Sequence, residues 1–222
     1  MKHVLTMSCL GTAMLGAPAM ADLHEPIVAD FEALETPFSN WQCVASYGIF
    51  ASHAGLEWTC PEAPYFDYQA GVYIPNAVEY GYTYGVTSGE QAFLSPWESS
   101  VEVSLDGGGL WTMESVWVNA AWNNDLTINF TGLRDGVIVA EMDHVHAYAT
   151  IVELISFGTA FVGIDTLIVD SWGGYDAGFE YTGTNYTNFT MDDFTYSIPA
   201  PGAVAVLAIA GLCTRRRRRA AH

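Results

Sequence analysis

Asp30-Phe31-Glu32 and Met191-Asp192-Asp193-Phe194 set carboxylates close together near the two limits of a stretch that carries all 25 acidic residues of the chain. Clustered carboxylates suit a hard divalent cation, calcium above all, which wants six to eight oxygens. Side chains alternate along extended backbone, so Asp30 and Glu32 share a face. Asp192 and Asp193 then point apart, and only one of them can be a direct ligand. The plainer reading is solvated carboxylates in a very acidic chain. His144 and His146 share a face beside Asp143 and suit zinc or copper. No third ligand stands at matching spacing, and two surface histidines near a turn account for them. Trp97, Trp111, Trp172 and Tyr175 fall near strand ends or loops, where an exposed ring can stack on a sugar. Aromatics of β-proteins more often fill the core. Trp172 and Tyr175 come first, because Gly173-Gly174 between them marks a loop.

Catalysis has little footing. Gly85-Val86-Thr87-Ser88-Gly89 has Thr where the nucleophile elbow needs Ser. Asp106-Gly107-Gly108-Gly109 lacks the Lys and the helix of a phosphate loop. Carboxylate pairs for glycoside hydrolysis are so numerous that no one pair stands out. Basic residues for an oxyanion or phosphate clamp are almost missing, although backbone amides can substitute.

The formal charge of −18 hides a sharper split. Lys2 and Arg215–Arg219 sit at the two ends, so Arg134 alone faces 25 Asp and Glu, a body charge of −24. Nucleic acid and anionic membranes are poor partners for such a body. It suits salty water, where self-repulsion is screened, with a few carboxylates left for divalent cations. Of four cysteines, only Cys43 and Cys60 fall in this body. In an oxidising compartment they are expected to pair, stabilising the enclosed loop by roughly 3 kcal/mol.

Both ends read as export signals. Lys2, the apolar Val4–Leu15 and Ala19-Met20-Ala21 form a secretory signal peptide over 1–21. At the other end, residues 198–222 hold Pro199-Ala200-Pro201-Gly202, an apolar run Ala203–Cys213 and Arg215, Arg216, Arg217, Arg218 and Arg219. The run is short beside the roughly 17–25 residues of a stable span. Arginines directly after it keep that side cytoplasmic, so the body lies outside. This tail resembles the PEP-CTERM sorting signal, with Ala where the common motif has Glu. The resemblance implies an exosortase-type processing enzyme as partner and transient membrane insertion through the tail. A plain C-terminal anchor is the alternative.

The body, 22–197, is the size of one all-β domain. Strands are expected at Ile27–Leu34, Ser99–Leu105, Trp111–Trp122, Leu126–Thr131, Val137–Met142, His146–Leu154, Ile164–Asp170 and Phe189–Ser197, with another inside Gly71–Gly85. Asn40–Pro64 reads as irregular and stapled. Eight or nine short strands with Gly, Asn and Asp turns argue for a β-sandwich. Trp117–Thr127, Phe161–Leu167 and Asn188–Phe194 resemble jelly-roll domains of exosortase-tailed surface proteins, similar in turn to galactose-binding-like folds and carbohydrate-binding modules. That resemblance implies neighbouring first and last strands and one structural calcium ion held by Glu32 and Asp192, with Asp30 and Asp193 the weaker candidates.

The expectation is an exported, surface-sorted jelly roll without catalytic activity, structural or adhesive in the bacterial envelope or an extracellular polysaccharide matrix. One alternative is a carbohydrate-binding module gripping a glycan through Trp172 and Tyr175. Another is a glycoside hydrolase or lyase on the same sandwich.

Overall fold

The computed structural model describes residues 25–32, 34, 43–47, 50–59, 68–73, 81–95, 100–179 and 186–199. The expected signal peptide, Cys60, Trp97, Pro201, Gly202 and the arginine cluster lie outside these, and with them the expected Cys43–Cys60 disulfide and most of the expected sorting motif. Among the described residues no helix is long and apolar enough to cross a membrane.

Sixteen strand segments and one helical turn are described. The first are β1 (Ile27–Ala29), β2 (Cys43–Tyr47), β3 (Phe50–His53), β4 (Leu56–Thr59) and β5 (Tyr68–Tyr73). Then come α1 (Gly81–Tyr84), β6 (Ala92–Leu94), β7 (Val101–Leu105), β8 (Trp111–Ala120), β9 (Asn123–Asn124) and β10 (Leu126–Arg134). The last are β11 (Val137–Ala147), β12 (Glu153–Ser156), β13 (Val162–Ile164), β14 (Thr166–Trp172), β15 (Tyr175–Asp176) and β16 (Phe189–Ser197). They form two antiparallel sheets, an all-β sandwich. One sheet runs β12-β8-β16-β6-β5-β2, with β1 added to β16 and β13 to β8. The other runs β11-β10-β14-β7-β4-β3, and a ribbon pairs β15 with β9.

Alternation explains the layers. Val101, Val103 and Leu105 on β7, Leu126, Ile128 and Phe130 on β10, and Leu167 and Val169 on β14 turn inward and are buried. Val116, Val118 and Ala120 on β8 and Phe189, Met191, Phe194 and Tyr196 on β16 meet them from the other sheet. Two aromatic clusters fill the space between. Trp58 packs on Phe93 and Phe194 with centroids 5.1 and 5.0 Å away. Phe157 packs on Phe130 and Phe161 at 5.0 and 4.8 Å. Each such pair contributes about 0.5–1.5 kcal/mol beyond the area it buries.

The strand directions give the sandwich two ends. β16 runs from Phe189, opposite Ala120, to Ser197, opposite Thr112. Ser197 therefore marks a tail end, shared with the 106–109 turn, the β10–β11 turn and the start of β1. The far end holds Trp122–Asp125, Gly173-Gly174 and Tyr148–Ile151.

Several expected boundaries change. β1 stops at Ala29 rather than Leu34, because Phe31 takes a left-handed φ of 60° and drives its ring into the core. Asn40–Pro64 is not irregular throughout: it holds β2, β3 and β4, with Leu56 and Trp58 alternating inward and Ala54-Gly55 turning at φ 52° and 77°. The chain does not break between Met142 and His146. β11 is one strand to Ala147, kept in step with β10 by irregularities at Ile128–Phe130 and Gly132–Leu133. The last strand has the expected bounds, Phe189–Ser197.

Candidate functional site

Asn119 organises the far end from beneath. It is fully buried on β8 and donates to the carbonyls of Gly81 (2.7 Å) and Ala120 (2.9 Å), and more weakly to Ala149 (3.3 Å). Its own oxygen accepts from Thr190 Oγ1. One amide thereby ties α1, β8, β16 and the loop after β11 together. Gly85 belongs to the same arrangement, since a Cβ there would fall 1.8 Å from Thr190 Oγ1 and 2.4 Å from Asn119 Oδ1. The segment after β8 is fixed in the same manner. Asn123 Nδ2 donates to Gly173 O (3.0 Å), and Asn124 Oδ1 accepts from the N–H of Ala149 (3.2 Å).

On that support sit the two aromatic residues singled out from the sequence. Trp172 is 45% and Tyr175 60% exposed, so both rings stand in the open. Gly173 and Gly174, at φ 74° and 78°, turn the chain between them. Tyr175 then pairs with Asn124. A Cβ on Gly174 would meet Asn124 O at 2.8 Å, so that turn packs closely on β9. Trp172 lies opposite Thr127, which on its other side lies opposite His146. The indole and the imidazole therefore flank one residue on the outer face of the sheet.

Polar groups surround the pair. His146 Nδ1 lies 2.9 Å from Asp125 Oδ1, with both side chains about half exposed. Asp125 takes the left-handed φ of 58° that an Asp turn allows. Asp125, chiefly by its charge and with a hydrogen bond, raises the Tyr148 phenol above its ordinary pKa, and Tyr175 and Glu153 act in the same direction. Trp172, Tyr175, Asp125, His146 and Tyr148 thus form an open surface with aromatic faces and several donors and acceptors. Of these, Asp125 and Tyr148 were not picked out from the sequence. Asn123-Asn124-Asp125 facing a Gly-Gly turn is the signal that could have found them. His146 has Asp125 as a partner, while the side chains of Asp143 and His144 lie outside the description. Trp111, the other described tryptophan considered for stacking, is buried and packs on Phe194.

The carboxylates considered for calcium do converge, but on a loop. β6 covers one half of the β16 edge and β1 the other. Between them β16 bulges, and Asp193 sits at φ 46°. The bulge cancels the alternation, so Asp192 and Asp193 do not diverge: both reach Thr87-Ser88. Asp192 Oδ2 accepts from Thr87 N (2.7 Å), Thr87 Oγ1 (2.9 Å) and Ser88 N (2.9 Å), while its Oδ1 takes the Asp193 N–H (2.8 Å). Ser88 Oγ donates to Asp193 Oδ1 at 2.7 Å. Glu32 Oε1 accepts from Glu90 N and Gln91 N, at 2.8 and 2.7 Å. Asp30 is exposed and accepts from Glu32 N, so Asp30 and Glu32 do not present one strand face. Burial pushes Asp192 above the ordinary carboxylate range, and the four hydrogen bonds pull it back. N–H donors stand where calcium would need oxygens, and among the described residues no three His, Cys, Asp or Glu are grouped to hold a metal. In this arrangement the set does not fit calcium; it clamps the loop.

No protein-family model and no curated protein matches the sequence. Solved structures are similar at a distance. A Stig cyclase, Fisc from Fischerella sp. TAU, in complex with an indole compound, is 12% identical with a TM-score of 0.43, covering 79% of this chain and 100% of its own. A DUF4465 family protein from Bacteroides ovatus is 10% identical with a TM-score of 0.44, over 80% and 100%. TmCBM61, in complex with β-1,4-galactotriose, is 13% identical with a TM-score of 0.32, over 77% and 94%. At that distance no site or ligand transfers to this chain.

Proposed function

We propose that this chain is an exported jelly roll, sorted to the cell surface through its tail by an exosortase-type enzyme, that binds an extracellular polysaccharide at its far end and has no catalytic activity. The observation that carries the reading is the exposed pair Trp172 and Tyr175, set among Asp125, His146 and Tyr148. Sugars present apolar C–H faces and a rim of hydroxyls, and such a surface offers a partner to each. A body charge of −24 favours a neutral glycan over an acidic one.

Affinity electrophoresis in gels loaded with neutral polysaccharides tests this. Trp172→Ala and Tyr175→Ala should each weaken retardation about tenfold or more, since aromatic anchors contribute about 2 kcal/mol at such surfaces. Their melting temperatures should match wild type, both rings being exposed. Undiminished retardation of both variants would end the proposal. The sorting part is tested separately, by the mass of the mature protein from its own host. A C-terminus at His222 would leave an anchor and no processing.

A further inference from the structure

The exposed aliphatic side chains are not scattered. Among the described residues, Ile27, Leu110, Val137, Ile138, Val162 and Ile198 are exposed at the tail end, with Val28 and Val139 next to them, whereas Ile151 and Leu154 are the exposed aliphatics away from it. Their positions follow from register. Ile198 continues β16 beyond Ser197, which faces Thr112, and Thr112 faces Val162. Val162 is tied to Arg134, whose guanidinium donates to the carbonyls of Val162 (2.9 Å) and Gly163. Arg134 in turn faces Val137 across the β10–β11 turn. Ile27 lies opposite Tyr196, and Leu110 precedes Trp111, which faces Ile164.

The chain enters and leaves the sandwich at this same end. β1 starts here, a short stretch after the small-x-small site Ala19-Met20-Ala21. β16 finishes here, a few residues before Ala203–Cys213 and the arginines. The stretch 198–202 between β16 and the apolar run spans at most about 18 Å, at about 3.6 Å per residue, so it keeps the rim near a bilayer that holds the run.

We infer that the tail end is a lipid-docking surface, its aliphatic rim resting in the bilayer interface while the tail is inserted. This rests on the tail acting as a membrane segment. Asp106, Asp135 and Asp165 also lie at this end, so the lipid it takes is zwitterionic rather than anionic. Arg134, the body's one basic residue, is there too and can reach phosphate. Docked in this manner, the sandwich stands upright. β8, with ten residues at about 3.3 Å each, lifts the far end roughly 30 Å above the surface.

The test uses the full chain in phosphatidylcholine vesicles, with p-benzoylphenylalanine replacing one residue at a time, irradiated and examined for lipid adducts by mass spectrometry. Val137 and Val162 report on the rim, Tyr175 on the far end and Leu207 on the tail. Adducts at 207, 137 and 162 but not at 175 are expected. Adducts at 207 alone would overturn docking and leave the anchor intact. Equal adducts at 175 would mean that the body lies flat, which also overturns it. No adduct at any position would remove both the anchor and the docking surface.

Discussion

The two ends of the sandwich are built by different means. At the far end, side-chain amides hold the connections: Asn119, Asn123, Asn124 and Asn188 each bond to backbone across at least 25 residues of sequence. At the tail end, main-chain bonds such as Gly108 N to Leu105 O, Asp106 N to Gly55 O and Asp165 N to Leu133 O act alongside the charged and phenolic side chains of Arg134, Asp165 and Tyr196, with no side-chain amide among them. Amide scaffolds fix loop shape in detail, as a recognising surface requires. The side chains left free at the tail end include the aliphatic Leu110, Val137, Ile138 and Val162 beside Asp106 and Asp135. On the proposed reading, the contrast separates an end shaped to recognise from an end suited to rest on a membrane.

The largest test of that contrast is Asn119→Ala. It strands two strongly bonded carbonyls and the Thr190 hydroxyl in a dry site, a loss of about 3 kcal/mol in urea unfolding. Next comes the clamp between the ends. Glu32→Ala removes the acceptor for two amides and should cost about 1–2 kcal/mol. Glu32→Gln keeps an acceptor oxygen and should stay near wild type. Neither calcium nor chelator should move the melting temperature of the wild type; a rise of several degrees with calcium, lost in Glu32→Gln, would restore the ion and displace the clamp. At the tail end, Arg134→Ala should cost only about 1 kcal/mol, because water can replace its exposed bond to Val162 O and reach the part-buried one to Gly163 O. A cost equal to that of Asn119→Ala would erase the distinction.

The smallest effect is one of pH. His53 Nε2 accepts the N–H of Phe31 at 3.2 Å and stacks on its ring. Burial lowers its pKa, with Asp30 pulling the other way. The unfolded chain therefore binds the proton first. His53 contributes its full stability above its ordinary value near 6.5 and loses it as pH falls below that towards the folded value. Melting temperature should fall across that window, and His53→Gln should flatten the slope.

Much of the sandwich was legible because alternation is a direct imprint of two faces. β7 and the first half of β10 put apolar residues on every second position, β16 does so on each side of its bulge, and their bounds come close to those expected. Legibility failed wherever the backbone leaves extended geometry. Phe31 takes left-handed φ with a side chain that carries no such signal, Asp193 does so within a strand whose flanking pattern reads as extended, and every argument about which carboxylates share a face depended on those two residues. Asn40–Pro64 hid three strands because only Leu56 and Trp58 show the alternation. At the far end, Gly173-Gly174 was enough to choose Trp172 and Tyr175. Asp125, His146 and Tyr148 come from other connections, and their meeting depends on β10 lying between β14 and β11.

β16 also sets the order in which the molecule can be completed. It is the last strand in sequence, yet it sits inside its sheet, bonded to β8 on one side and to β6 and β1 on the other. A chain delivered N-terminus first, from ribosome or translocon, holds β1 without a partner until Phe194–Tyr196 has emerged. Until then the seam between β8 and β6 stays open and the aromatic cluster around Trp58 lacks Phe194. Closure is a long-range, late event, of the kind that makes folding slow. The segment delivered immediately after β16 is the Pro-x-Pro motif and the apolar run, so those residues arrive only after β16 has emerged to fill the seam.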